Sequence, residues 1–275
     1  MDTLFLLGDV REQLRRIPDA SVQCCVTSPP YFGLRDYGQS AQIGREETPE
    51  AFVGALVEVF RDVRRVLRDD GTLWLNLGDS YGKGKSLLGI PWRAALALQA
   101  DGWCLRQDII WHKPNPMPES VTDRCTKAHE YIFLLAKSER YYFGAEAMKE
   151  PASNRSMGNR SHKYSAAYEA SDTEEHRTKA GLLALADVTW EKRNRRSVWT
   201  VAAKPFKEAH FATFPPDLIE PCILAGSRPG DLVLDPFGGA GTTALVARRH
   251  ERASIYIDLN PEYMQIAKTR LAEHQ

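Results

Sequence analysis

The sequence lacks any apolar segment long enough to cross a membrane, since no run approaches the roughly 18 residues that a transmembrane helix needs. Its N-terminus, Met1 to Phe5, has no basic stretch ahead of an apolar core, which argues against a secretory signal. None of the five cysteines forms a Cys-x-x-Cys pair, so neither structural zinc nor a disulfide framework is expected. These absences predict a cytoplasmic protein with no bound metal, whose cysteines are buried thiols.

Net charge is also absent, because 36 basic residues balance 36 acidic ones, but the charge is unevenly distributed. Residues 149–207 contain 12 Lys and Arg against 7 Asp and Glu. Between about 151 and 196, Ser, Asn, Arg, Lys and Glu dominate and strand-like runs vanish, which predicts an insertion. A local basic segment suits a surface that binds a polyanion, but charge alone favours a solvated loop equally.

Outside that segment, short apolar strands alternate with amphipathic helices. Helices are predicted over residues 10–17, 49–68, 90–100, 216–225, 241–250 and 261–273, and strands over residues 4–7, 22–27, 72–77, 107–112, 130–136, 231–235 and 254–258. Thr48 is predicted to cap the second helix, which Asp69-Asp70-Gly71 should stop. This alternation predicts an α/β fold with a parallel sheet covered on both faces.

A glycine loop follows the strand that ends at Asp235. Gly239-x-Gly241-x-x-Ala244 fits a dinucleotide-binding fingerprint, and Asp258, at the tip of the next strand, suits a ribose diol. Only 17 residues follow Asp258, however, too few for the remaining strands of such a sheet. The missing strands must therefore come from the N-terminal side. This predicts a circularly permuted sheet, in which the strand ending near Ser28 lies beside the strand ending at Asp235.

The segment Ser28-Pro29-Pro30-Tyr31 follows a buried strand. Each proline holds the residue before it in an extended conformation, so the carbonyls of Ser28 and Pro29 are aimed before a substrate arrives. Such a loop suits a group that donates hydrogen bonds, such as an exocyclic amine, while Tyr31 offers a flat face for a base. A polyproline-type turn with Tyr31 as packing is the alternative interpretation of these four residues by themselves.

These motifs closely resemble those of the S-adenosylmethionine-dependent DNA amino-methyltransferases, over nearly all of the chain outside about 150–200. The family's catalytic motif matches Ser28-Pro29-Pro30-Tyr31, and its cofactor motif is similar to the run from Asp235 to Thr243. The resemblance implies a Rossmann-like fold and a cofactor site. The cofactor-binding residues it implies are Asp9, Phe214, Pro215, Asp235, Phe237, Gly239, Gly241, Thr242, Thr243 and Asp258. An ordinary core role for Phe237 is equally open.

The order of the motifs resembles the permuted β group of this family. It implies a catalytic half over residues 1–148, a target-recognition insertion over 149–207 and a cofactor-binding half over 208–275. The DNA contacts expected are Lys113, Arg193, Arg195 and Arg196, with Trp190 and Trp199 near the arginines. Asn76, Asp79 and Ser80 either line the target pocket or form a structural turn. Lys83 and Lys85 either meet phosphates or are solvated.

In this family, Ser in the first motif position goes mainly with cytosine N4 and Asp mainly with adenine N6. The resemblance therefore implies methyl transfer from S-adenosyl-L-methionine to the N4 amine of a flipped-out cytosine in double-stranded DNA. Adenine N6 is the first alternative, an RNA or a protein amide the second, and a binding module without catalysis the third. No cysteine nucleophile is required. A cognate restriction endonuclease and a homodimer are further partners that this family suggests.

Overall fold

The computed structural model describes residues 1–34, 38, 42–152, 191–203 and 213–273. The helices are α1 (Val10–Leu14), α2 (Pro49–Val66), α3 (Ile90–Ala100), α4 (Pro216–Gly226), α5 (Thr242–Arg249) and α6 (Pro261–Glu273), with a 3-10 turn at Lys83–Lys85. The strands are β1 (Thr3–Leu7), β2 (Val22–Thr27), β3 (Leu67–Leu77), β4 (Cys104–His112), β5 (His129–Ala136), β6 (Lys149–Pro151), β7 (Lys192–Asn194), β8 (Val198–Thr200), β9 (Leu232–Asp235) and β10 (Ala253–Asp258). No helix among these residues is long and apolar enough to span a membrane.

Eight strands form one sheet in the order β1-β10-β9-β2-β3-β5-β4-β8. Every neighbouring pair is parallel except the two that involve β5, which runs against both β3 and β4. The two C-terminal strands β9 and β10 lie between β1 and β2, so the predicted permutation is confirmed. Cys24 pairs with Val233 and Cys25 with Leu234, which sets the first motif beside the second.

Side chains of the central strands alternate between two apolar layers. Cys25, Leu73 and Leu75 belong to the main core, to which α1, α2 and α3 contribute. Cys24 and Trp74 face the other way, toward α4, where a Cβ atom on Gly226 would lie 2.4 Å from Cys24 Sγ. The predicted α/β class and the mostly parallel sheet are therefore confirmed.

Most predicted elements agree with the structure to within a few residues, and α2 is capped by Thr48 as expected. The predicted end of α2 was wrong. The helix ends at Val66, and Asp69-Asp70-Gly71 belong to β3, whose first residue Leu67 pairs with Val22 of β2. A neighbouring strand thus keeps a sequence extended that by itself is typical of a turn. The first helix is also shorter than predicted and ends at Leu14.

Two compact units divide the chain. One contains residues 1–147 and 196–275 with the large sheet, and the other contains residues 148–195. In the second unit β6 and β7 pair antiparallel, and Arg193 binds Glu150 at 2.8 Å. The prediction that strands vanish between 151 and 196 was wrong at β7. Its residues Lys192–Asn194 are all polar, and apolar patterning does not detect such a strand. The assignment of 149–207 to target recognition stays a prediction, and residues 153–190 and 204–207 of it lie outside the described ones.

Candidate functional site

The carboxyl ends of β2, β9 and β10 bring the two sequence motifs to one edge of the sheet. In parallel sheets this edge is where ligands bind. Thr27, the last residue of β2, donates a 2.7 Å hydrogen bond to Oδ1 of Asp235, the last residue of β9. Ser28 begins the proline loop, and the glycine loop follows Asp235, so this bond joins the starting points of both loops.

Asp235 is a buried support for the glycine loop. It is 3% exposed, and its second oxygen accepts a 2.7 Å bond from Thr243, while its first also accepts from the Phe237 amide at 3.1 Å. Burial raises the pKa of Asp235 to about 6, and the bonds from Thr27 and Thr243 oppose that rise. Its carboxylate thus holds the turn from β9 into α5 from the inside.

The loop itself is shaped by glycines that have no room for a side chain. A Cβ atom on Gly238 would lie 2.2 Å from the ring of Tyr256, and one on Gly241 would lie 2.8 Å from Ala267. Gly241 also has a φ of +73°, which L residues rarely adopt. Tyr256 donates its hydroxyl to the Gly239 carbonyl at 2.7 Å, so the loop cannot shift away from the ring.

Asp258 ends β10 at the other side of the same loop. One carboxylate oxygen accepts from the Gly239 amide and the other from the Asn260 amide, each at 2.8 Å. Its side chain is half-buried, and burial raises its pKa above the ordinary value. A carboxylate can accept several hydrogen bonds at once, so Asp258 can also accept from a diol.

This geometry fits the predicted cofactor. Among the described residues, a Cβ atom on Gly239 would meet the Phe237 carbonyl alone, at 3.9 Å, so the backbone there is open to a ligand. Phe237 is half-buried and packs on the main core. Phe214 is half-buried and Pro215 buried, and Pro215 is the N-cap of α4. A nucleoside approaching the loop would meet the backbone at Gly239 and the carboxylate of Asp258.

Three further residues of the predicted cofactor set are bonded to other residues of the protein. Thr242 and Thr243 are 3% and 1% exposed; Thr242 accepts from Arg270, and Thr243 binds Asp235. Asp9 caps α1 through the Arg11 amide and forms an ion pair with the Arg11 guanidinium, which lowers the pKa of Asp9. The two threonines thus support the loop from inside the protein, and direct contact with a cofactor stays a prediction for all three residues.

The proline loop is fixed by packing on both sides of Tyr31. Pro29 is buried, whereas Ser28 and Tyr31 are half-buried at the edge of the sheet. Phe32 packs against Phe52 of α2, with 5.6 Å between the ring centroids. A Cβ atom on Gly78, just after β3, would lie 2.5 Å from Tyr31 Cε2, so the ring rests directly on that glycine. The loop therefore presents Ser28 and Tyr31 in fixed positions.

Behind Tyr31 lies a charged group that the sequence patterns did not identify. The phenol oxygen lies 2.6 Å from Oε2 of Glu130, at the start of β5, and Lys113 forms an ion pair with the other oxygen of Glu130. Asn76 donates to Glu130 at 3.3 Å and to the Tyr131 carbonyl at 3.0 Å. Glu130 is the second residue of β5, and its only sequence signal is a charge next to an apolar run. Its partners are set by the antiparallel register of β5, which sequence periodicity does not give.

The predicted DNA contacts differ in how they are held. Lys113 is 20% exposed, paired with Glu130, and its ammonium lies 4.3 Å from the centre of the Trp111 ring. Arg193 is paired with Glu150, Arg195 is half-buried and Arg196 is exposed. Trp199 is buried and donates to the Arg196 carbonyl, so its ring packs inside the protein, and Trp190 lies outside the described residues. DNA contact by these four cations stays a prediction.

Asp79 and Lys85, for which two interpretations were open, both have partners within the protein, and a role of either toward DNA stays a prediction. Asp79 accepts from the amides of Ser80, Gly89 and Ile90, so its carboxylate caps α3 in the turn-like role. Lys85 forms an ion pair with Asp123 at 2.6 Å.

All five cysteines are free thiols, but the prediction that all are buried was wrong. Cys104 is half-buried, because it begins a strand near the sheet's end, and Cys125 lies exposed in a loop.

Known proteins match this chain over nearly its whole length. A family model described as DNA methylase matches residues 22–269. The Type II methyltransferase M.Cfr9I of Citrobacter freundii is 46% identical over 98% of this chain and 87% of its own length. M.SmaI of Serratia marcescens, also a Type II methyltransferase, is 44% identical over 97% and 90%.

Solved structures share the fold. The PvuII DNA methyltransferase (cytosine-N4-specific) matches with a TM-score of 0.72 at 21% identity, covering 98% of this chain and 86% of that one. A putative DNA modification methylase of Thermus thermophilus, complexed with S-adenosyl-L-methionine, matches with a TM-score of 0.66 at 27% identity, covering 98% and 93%. The family model and the long, closely similar relatives confirm the resemblance drawn from the motifs: this chain belongs to the DNA methylase family.

Proposed function

We propose that this DNA methylase transfers the methyl group of S-adenosyl-L-methionine to the exocyclic N4 amine of a cytosine flipped out of double-stranded DNA. The observation that carries the proposal is the 2.7 Å bond from Thr27 to Asp235, which joins the proline loop to the glycine loop. When bound, the cofactor supplies an electrophilic sulfonium methyl group. The open backbone at Gly239 and the carboxylate of Asp258 are the groups expected to hold its nucleoside part.

The proline loop prepares the amine for reaction. The lone pair of an exocyclic amine is delocalised into the ring, so the amine is a poor nucleophile. Ser28 Oγ and the carbonyl of Ser28 or Pro29 can accept both of its hydrogens, which favours a pyramidal nitrogen with a free lone pair. With the nitrogen about 3 Å from the methyl carbon, the N–CH₃ bond would form as the sulfonium S–CH₃ bond breaks, S-adenosylhomocysteine would leave, and the amine would release one proton. Stacking on Tyr31 would offset part of the cost of flipping. The cysteine thiols take no part in this scheme.

Cytosine is favoured over adenine by Ser28 in the first motif position. The matched PvuII enzyme is cytosine-N4-specific by its description, which supports this choice through the shared fold. A DNA substrate and bacterial relatives favour action in a bacterial cytoplasm. The Type II relatives also favour a cognate restriction endonuclease as companion, and this pairing stays a prediction, as does a homodimer.

The proposal is tested by expressing the chain in a host that lacks DNA methylation. The host DNA is digested to nucleosides and analysed by mass spectrometry, and N4-methylcytosine is expected. N6-methyladenine instead would select the adenine alternative, and no methylated base would overturn the proposal. Ser28→Ala and Tyr31→Ala are the matched variants: both should abolish the modified base while cofactor binding, measured by calorimetry, persists.

A further inference from the structure

The phenol of Tyr31 has one proton, and among the described residues two side-chain acceptors lie within its reach. Oε2 of Glu130 lies 2.6 Å from the phenol oxygen, and Oδ1 of Asn76 lies 3.3 Å from it. A hydroxyl bonded to a carboxylate makes a shorter and stronger bond than one to a neutral amide. The proton of Tyr31 therefore points at Glu130, and the phenol oxygen is left as an acceptor.

Glu130 is held in place as a charged acceptor. Its side chain is only 14% exposed, Lys113 forms an ion pair with Oε1, and the Asn76 amide lies 3.3 Å from Oε2. Both carboxylate oxygens thus have a donor besides Tyr31. A fixed, half-buried carboxylate with a paired cation keeps the direction of the Tyr31 hydroxyl constant.

The direction of the Tyr31 hydroxyl also determines the orientation of the hydroxyl of Ser28, the first residue of the proline loop. Ser28 Oγ lies 3.5 Å from the Tyr31 oxygen, at the outer limit of a hydrogen bond. Since the phenol proton is given to Glu130, the Ser28 hydroxyl is the donor in this contact. The proton of Ser28 then points toward Tyr31, and its lone pairs are left for another donor.

We propose that Glu130 is a positioning residue for methyl transfer: acting through Tyr31, it orients the Ser28 hydroxyl so that Ser28 accepts a hydrogen from the target amine. This inference rests on the proposed function of the same site. A hydroxyl pointing the other way would face the amine with its proton and would repel it. Lys113 and Asn76 support this role by fixing the carboxylate that sets the direction.

The test is a double-mutant cycle on Glu130→Gln and Tyr31→Phe. A glutamine amide can turn its NH₂ group toward the Tyr31 oxygen. This would reverse the direction of the hydrogen bonds that run from Ser28 through Tyr31 to position 130. We expect Glu130→Gln to lower kcat for DNA methylation by about tenfold to hundredfold, the range of a lost charge-assisted hydrogen bond. KM for DNA and the calorimetric Kd for the cofactor should stay within about twofold. In the Tyr31→Phe background, Glu130→Gln should cause no further fall in kcat.

The cycle separates positioning from mere support of the fold. An equal fall in kcat in both backgrounds would overturn the inference, and so would full activity of Glu130→Gln. Glu50→Gln, at an exposed ion pair with Arg93, is the control for loss of a carboxylate and should match the unmodified protein. Glu130→Leu, which has no polar group, should follow the same pattern as Glu130→Gln. An unmodified protein that methylates no DNA would overturn the proposed function and this inference together, whereas an active one isolates the role of Glu130.

Discussion

The hydroxyl of Thr27 donates a 2.7 Å hydrogen bond to Oδ1 of Asp235, a residue 208 positions later in the chain. Both groups are buried, at 0% and 3% exposure. The bond joins the ends of two strands that are neighbours only because the last part of the chain lies inside the sheet. An ionised carboxylate at this point is stabilised by hydroxyls but has lost its contact with water.

The first prediction concerns the pH dependence of stability through Asp235. Burial raises its pKa from 3.8 to about 6, so the folded protein holds this proton more tightly than the unfolded chain does. The stability that Asp235 contributes by binding this proton is therefore fully present below about pH 4 and is lost as the pH rises to about 6. At about 1.36 kcal/mol for each pKa unit, the loss is roughly 3 kcal/mol. The Asp235→Asn variant has no titrating group at this position, so its stability should not fall in this way as the pH rises.

The measurement is urea unfolding at several pH values without ligand. Between pH 4 and pH 7, the free energy of unfolding of the unmodified protein should fall by roughly 3 kcal/mol relative to that of Asp235→Asn. Parallel pH profiles for the two proteins would contradict the assignment. Thr27→Val gives a second check: it removes a bond that favours the ionised form, so it should raise the pKa of Asp235 and move the decline to higher pH.

The second prediction concerns the close approach of Gly238 and Tyr256. A Cβ atom at Gly238 would lie 2.2 Å from the Tyr256 ring, which is 1% exposed and bonded to Gly239. Gly238→Ala must displace the loop or the ring, so it should destabilise the fold by about 1–3 kcal/mol and weaken cofactor binding. Urea unfolding and calorimetry measure the two effects.

Gly54 supplies the matched control for that change. It lies within α2, and a Cβ atom there would meet no other described part of the chain within 4 Å. Gly54→Ala should therefore stabilise the protein by about 0.5–1 kcal/mol through the better helix propensity of alanine. Equal stability of Gly238→Ala and the unmodified protein would show that the loop has more freedom than its contacts indicate.

The local parts of the fold could be predicted from the sequence, and the long-range contacts could not. Thr48 before Pro49 and the spacing of apolar residues predicted α2, because these signals act within a few residues. The position of Asp69 to Gly71 in β3 depends on pairing with β2, and a turn-like composition gives no sign of it. Chain order and the short C-terminal tail, by contrast, were enough to predict that β9 lies beside β2.

The residues of the site likewise include some that local sequence patterns predict and others that depend on long-range contacts. Motif residues such as Ser28, Tyr31 and Asp258 were predicted because stiff prolines, glycines and a carboxylate at a strand end have recognisable chemistry. Glu130 was missed since its partner Tyr31 is 99 positions away and the contact depends on the reversed direction of β5. Thr242 and Asp235 were predicted as cofactor residues; both are buried and bonded within the protein, and their contact with a cofactor stays a prediction.

The third prediction concerns Asp258 and the ribose of the cofactor. Asp258→Ala should weaken binding of S-adenosylhomocysteine by about tenfold to hundredfold, the effect of losing a hydrogen bond to a charged acceptor. The loss of support for the Gly239 amide adds to this fall. An analogue without a ribose hydroxyl separates the two causes. The unmodified protein should bind the deoxy analogue less tightly than S-adenosylhomocysteine, whereas Asp258→Ala should bind both alike. Equal discrimination by both proteins would assign the ribose contact to another residue.

The fourth prediction separates Lys113 from Arg196 by the salt dependence of DNA binding. Loss of one phosphate contact lowers the slope of log K against log salt by about one. Arg196 is exposed, so Arg196→Ala should lower the slope by that amount and leave kcat at saturating DNA almost unchanged. Lys113 is 20% exposed and paired with Glu130, so Lys113→Ala should leave the slope unchanged and lower kcat.

This contrast is expected because Glu130 and a DNA phosphate would compete for the ammonium group of Lys113. A lysine that neutralises a half-buried carboxylate cannot approach a phosphate without leaving Glu130 charged and unpaired, which costs more than an exposed phosphate contact returns. Filter-binding titrations at several salt concentrations, with kcat measured on the same preparations, distinguish the two roles. A smaller slope for Lys113→Ala with unchanged kcat would make Lys113 a phosphate contact, and Glu130 would then have to hold Tyr31 without its cation.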